Sequence, residues 1–68
     1  MKNMIRQLRQ QHHMTQEELA KLCMVSRQTI ISLEKGKYDP SIHLAHTIAS
    51  VFHLTIEQVF LFEDEGLS

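Results

Sequence analysis

The chain has little of what breaks a helix or carries a reaction. Two glycines and one proline in 68 residues are too few for a turn-rich sheet fold and favour helices. Cys23 is the only cysteine, which excludes an internal disulfide and fits a reducing compartment. No apolar run approaches the roughly 20 residues needed to span a bilayer, and no basic segment followed by an apolar run stands near Met1. These absences predict a soluble, cytoplasmic protein with no membrane partner. There is no glycine-rich phosphate loop, and no Ser/His/Asp or Cys/His arrangement can be argued. An enzyme is therefore not expected, and no cofactor or small-molecule ligand is implied.

A large charge of one sign is also missing. The formal net charge is -1. The distribution says more than the total. Residues 2–37 hold all seven basic residues (Lys2, Arg6, Arg9, Lys21, Arg27, Lys35 and Lys37) against three acids, Glu17, Glu18 and Glu34, a surplus of four positive charges. A local basic face can contact phosphates even when the total is near zero. Glu63, Asp64 and Glu65 form an acidic cluster near the other end.

What is present is a grammar of helix starts. Hydrophobic residues make up 43%, enough for one core, and the length predicts one domain over residues 1–62 with an acidic, frayed tail over 63–68. A first helix is expected from about Lys2 to His12, with Met4, Ile5 and Leu8 on one face. Thr15 followed by Glu18 forms a capping box, with Met14 stapling onto Leu19. Ser26 caps a third helix, with Val25 and Ile30 placed for the same staple, and Gly36 ends it. Asp39 and Pro40 make a loop. Ser41 caps a fourth helix, whose stripe is Leu44, Ala45, Ile48, Ala49 and Phe52. Thr55 and Gln58 form a second capping box, with Leu54 stapling to Val59. The expected fold is all-α, a compact five-helix domain.

The segment QEELAKLCMVSRQTIISLEK, Gln16 to Lys35, reads as two short helices joined by a tight turn. Ala20 is the small residue where the pair comes closest, and Ile30 and Leu33 face inward with Leu19 and Leu22. The opposite face of the second helix of the pair shows Arg27, Gln28 and Ser32, with Thr29 and Ile31 at its margins. Arg can bond guanine bidentately, Gln can do so with adenine, and an aliphatic side chain can touch a thymine methyl. Those residues lie near the helix start, the part of a recognition helix that reaches base edges.

The run TQEELAKLCMVSRQTIISLEKGKYDPS resembles the Cro/CI-type, or xenobiotic-response-element-type, helix-turn-helix family, in particular its small stand-alone regulators. The similarity continues through HLAHTIASVFHLTIEQVF and covers roughly residues 3 to 60. It implies a lambda-repressor-like domain that binds double-stranded DNA as a homodimer and regulates transcription, most simply by covering an operator. By position it implies that Thr15 and Gln16 lie at the phosphate backbone. Arg27, Gln28 and Ser32 would face bases, with Thr29 touching phosphate or base and Ile31 beside them. Lys35, Lys37 and Tyr38 would hold the backbone beyond the helix, and Arg9 with Glu34 would form a structural clasp. Two departures replace glycine: Met24 in the turn of the pair and His53 after the fourth helix, both where positive φ is expected.

Val59, Phe60, Leu61 and Phe62 are four apolar residues in succession, which cannot all face one core. Val59, Leu61 and Phe62 are accordingly expected at a dimer interface, packed on a twin by two-fold symmetry. The same surface and the acidic tail also suit a rival reading, a protein-interaction module such as an antitoxin-like partner. His43 and His46 have the spacing of a metal pair but lack further ligands, so no metal is expected. Cys23 and the four methionines read as core filler.

Overall fold

The computed structural model describes residues 1–37 and 39–62; Tyr38 and the acidic tail lie outside them. Five helices follow in order: α1 (Ile5–Gln11), α2 (Gln16–Cys23), α3 (Arg27–Glu34), α4 (Ile42–Val51) and α5 (Ile56–Val59). Two short strands, β1 (Lys2–Asn3) and β2 (Phe60–Leu61), pair antiparallel, Lys2 opposite Leu61 and Asn3 opposite Phe60.

Side chains start the helices. Thr15, Ser26, Ser41 and Thr55 each accept a hydrogen bond from the backbone N–H three residues on, the interaction that satisfies an orphan donor at a helix start. At Thr15 and Thr55 the bond is reciprocated, by Glu18 and by Gln58.

The ends of α1, α2, α3 and α4 share one geometry, whereas α5 runs directly into extended backbone at Phe60. The left-handed residue is His13, Met24, Gly36 or His53, with φ between 53° and 71°. Each following N–H reaches five residues back: Met14 to Arg9, Val25 to Ala20, Lys37 to Ser32 and Leu54 to Ala49. The left-handed N–H itself bonds three residues back. This is the Schellman closure. Three of the four connections then run left-handed residue, apolar residue, cap: His13-Met14-Thr15, Met24-Val25-Ser26 and His53-Leu54-Thr55. Met14, Val25 and Leu54 pack against the core, so one residue closes a helix and staples the next.

The core is Ile5, Leu19, Ala20, Cys23, Ile30, Leu33, Ala45, Ile48, Ala49, Phe52, Val59 and Phe60, all apolar. Four sequence expectations change. Lys2 and Asn3 are strand, not helix. Asn3 Oδ1 accepts from Ile5 N at 3.2 Å, and its Nδ2 donates to the Leu33 carbonyl at 2.7 Å, so Asn3 starts α1 and ties it to the end of α3. Leu22 is 56% exposed. The inward stripe of α2 is Leu19, Ala20 and Cys23, and Leu22 lies roughly 110° round the helix from its middle. Met24 is 92% exposed and fills no core, because its left-handed backbone turns the side chain out past the helix end. Val59 is fully buried in its own core, which removes it from any dimer surface. Phe60 is buried too, and only Leu61 (41%) and Phe62 (57%) stay exposed.

Candidate nucleic-acid interface

α3 is fixed from below and open above. Ile30 and Leu33 are fully buried where α3 packs on α2, whose small Ala20 leaves room for close approach beside Leu19. That orientation leaves Arg27 and Gln28 exposed in the first turn, with Thr29, Ile31 and Ser32 half-buried beside them. The Thr29 hydroxyl lies 2.9 Å from the Ser26 hydroxyl, so both hydroxyls sit at the helix start. A helix N-terminus carries partial positive charge and is stabilised by acids. α2 has Glu17 and Glu18 in its first turn, whereas α3 has no acid there and opens with Arg27. Arg27 thus adds positive charge where helix stability favours negative, which marks this end as suited to an anionic partner.

A polar clasp holds the three helices together. Arg9 Nε donates to Glu34 Oε2 at 2.6 Å and Nη2 donates to Oε1 at 3.2 Å. Arg9 Nη1 donates to the Met14 carbonyl at 2.9 Å. Gln16 Nε2 donates to Glu34 Oε1 at 3.1 Å. One carboxylate at the end of α3 therefore engages α1 and the first residue of α2, and Arg9 also holds the connection between them. Both ion-paired side chains are largely buried, so the fork-to-carboxylate geometry is held away from water. Gln16 is drawn toward α3 by the same carboxylate.

A groove runs between α1 and α3. Thr15, Gln16 and Glu17 close it at the start of α2, and Arg27, Ile31 and Lys35 form its α3 side. Lys35 and Lys37 are exposed beyond α3, on either side of Gly36. Gly36 has φ 71°, and a Cβ there would meet the Met1 carbonyl oxygen at 3.3 Å. Leu61 and Phe62 belong to the β2 end of the chain and do not line this groove. The groove has a second wall that the sequence reading passed over: Arg6 and Gln10 of α1, with His13 just beyond the helix end. The i, i+4 spacing of Arg6 and Gln10 is a visible signal of one helix face, but which face meets α3 depends on how the helices dock.

Two apposed helices with an exposed polar face on the second, joined through a left-handed turn, are the geometry of a helix-turn-helix. The helix-turn-helix family profile matches residues 5–59. The chain belongs to that family. An uncharacterised HTH-type transcriptional regulator of Methanocaldococcus jannaschii is 55% identical over 65 residues, covering 96% of this chain and 98% of its own. One from Archaeoglobus fulgidus is 55% identical over 67 residues, 98% of this chain and 96% of its own. YgzD, an uncharacterised HTH-type regulator of Bacillus subtilis, is 42% identical over 66 residues, 97% of this chain and all of its own. In fold the chain is similar to the crystal structure of a hypothetical transcription factor, NHTF, from Neisseria. The TM-score is 0.73 at 22% identity, over 79% of this chain and 61% of that one. Within this helix-turn-helix chain, Met24 and His53 do hold the left-handed backbone where the family pattern has glycine, with φ of 59° and 58°. No helix among the described residues is long and apolar enough to cross a membrane.

Proposed function

We propose that this chain is a sequence-specific, DNA-binding transcriptional regulator that represses by occupying a palindromic operator as a homodimer. The observation that carries the reading is the start of α3. It leaves Arg27 and Gln28 exposed, Gln28 opposite buried Ile30 and Leu33 and Arg27 at the flank, with no acid in the first turn. Arginine and glutamine supply bidentate readers for guanine and adenine, and Ile31 supplies apolar surface for a thymine methyl. Gln16, bonded to Glu34, lies with Lys35 and Lys37 at the C-terminal end of the reading helix, where phosphate contacts would fix its register.

One domain of this size presents few base contacts, so a single copy binds weakly. Two copies bring two reading helices to successive major grooves, roughly 34 Å apart. Leu61 and Phe62 are the apolar surface offered for that pairing, adjacent in sequence and more than a third exposed.

Titration of the protein against its own upstream region and against random DNA, over a range of salt, tests the reading. Specific binding should exceed non-specific binding by at least ~10³-fold, with concentration-dependent dimer formation. Gln28→Ala should relax base preference, whereas Lys37→Ala should weaken all duplexes alike. Equal, weak binding to both DNAs would sink the regulator reading.

A further inference from the structure

The α1 wall of the groove has no part in the reading above. Arg6 and Gln10 of α1, with His13 just beyond that helix, stand across from Arg27 and Ile31 of α3 and its cap residue Lys35. The groove is lined by four cations, Arg6, Arg9, Arg27 and Lys35, and by two carboxylates, Glu17 and Glu34. Arg9 and Glu34 are bound to each other, which leaves three cations facing Glu17. Among the described residues no ion pair engages Arg6, Arg27 or Lys35. Arg6 and Gln10 are also exposed, so neither is needed to fill the core.

We propose that α1 is a second wall of the DNA site: Arg6 binds a phosphate of the strand running past α3, and Gln10 donates an uncharged hydrogen bond beside it. The inference rests on α3 as the base-reading helix and extends the contact surface to a helix with no assigned DNA role. Charge selects the partner's chemistry. Two walls, each with its own free cation, suit a polyanion that passes along the groove and meets both. A guanidinium matches phosphate with paired donors, so Arg6 is equipped for this contact. The clasp gives the arrangement its rigidity. Arg9 follows Arg6 by three residues on α1 and is tied to Glu34 of α3, so the spacing of the walls is fixed before DNA arrives.

The test uses a duplex selected from random sequence by the wild-type protein, a scrambled duplex, and the variants Arg6→Gln and Arg6→Lys. Arg6→Gln should weaken binding to both duplexes by about tenfold. The slope of log affinity against log salt should shrink by about 0.9, one phosphate contact, with the preference between duplexes unchanged. Arg6→Lys should restore the slope. Thermal melting of both variants should match wild type, which separates lost contact from lost fold. A wild-type protein that prefers its selected duplex, with an unchanged slope in Arg6→Gln, overturns this proposal alone. A selection that yields no preferred duplex overturns the reading of α3 and this inference with it.

Discussion

The α1–α3 half of the molecule and the α4–β2 half are joined through one core but held by different forces. α1, α2 and α3 are clasped by a largely buried ion pair and its branches: Arg9 to Glu34, Gln16 to Glu34, and Arg9 to the Met14 carbonyl. α4, α5 and β2 meet through hydrocarbon alone, with Ile48, Phe52, Val59 and Phe60 all buried and no buried polar side chain among them. Apolar burial is non-directional and gives stability. A largely buried ion pair contributes little net stability over apolar packing, but removing one partner leaves a charge unpaired, and its hydrogen bonds are directional. The half that must hold a reading helix at a set angle has the directional device, and the half that closes the core does without one.

The largest expected effect removes the dry half's anchor. Phe60→Ala deletes a fully buried aromatic and should cost roughly 3–5 kcal/mol, enough to unfold much of a domain this small. Glu34→Ala leaves the Arg9 guanidinium without its carboxylate and should cost about 3 kcal/mol. The two should part in a second readout. Glu34→Leu combined with Arg9→Met replaces the clasp with apolar packing, and denaturant melts should show much of the stability restored. DNA selectivity should stay impaired, because Gln16 and α3 have lost the group that orients them. Restored selectivity in that double variant would show that the clasp orients nothing.

How much of this was legible in the sequence follows from the range of each interaction. The caps at Thr15, Ser26, Ser41 and Thr55 act over three residues, so residue type and spacing suffice to place them. The exposed face of α3 was legible for the same reason, since buried Ile30 and Leu33 fix which side remains. The β1–β2 pair was not. Lys2 and Leu61 meet from opposite ends of the chain, and two-residue strands have no periodicity to detect. Asn3 looked like an ordinary polar residue, yet it bonds the end of α3. Met24 and His53 stood out against the family pattern as glycine replacements. His13, with φ 53°, is the same solution a third time, and nothing local announced it. The α1 wall of the groove stayed hidden because helix docking, not residue spacing, decides which faces oppose.

The shared helix-ending geometry allows a cleaner comparison of the halves. Met24 ends α2 beside the reading helix, and His53 ends α4 in the dry half, each a side-chain-bearing residue at φ near 59°. Holding such a residue in the left-handed region costs about 1 kcal/mol, partly offset by the greater unfolded-state freedom of glycine. Met24→Gly and His53→Gly should therefore each stabilise by roughly 0.5–1 kcal/mol, visible as a rise of a few degrees in melting temperature. Equal gains would mean that both junctions carry only this intrinsic strain. A markedly larger gain at Met24 would mean that the clasped half adds strain of its own.

The smallest expected effect contrasts the two capping boxes, which share geometry but differ in one atom. Glu18 and Gln58 each accept from the N–H of their threonine at 2.8 Å. Glu18 can titrate and Gln58 cannot. The backbone and hydroxyl of Thr15 hold the Glu18 carboxyl below the usual carboxylate range, with Lys21 adding a further pull in the same direction. A carboxylate whose folded pKa is depressed contributes stability above its unfolded pKa and loses it as pH falls through the folded value. The α2 start should thus weaken on acidification while the α5 start does not. Glu18→Gln should flatten the acid limb of a plot of melting temperature against pH, and Gln58→Glu should steepen it by placing a titrating carboxylate at the start of α5. At neutral pH Glu18→Gln should cost slightly, because a charged acceptor at a helix N-terminus also meets the helix dipole. An acid limb unchanged in both variants would show that the difference between Glu18 and Gln58 has no bearing on how the two halves respond to acid.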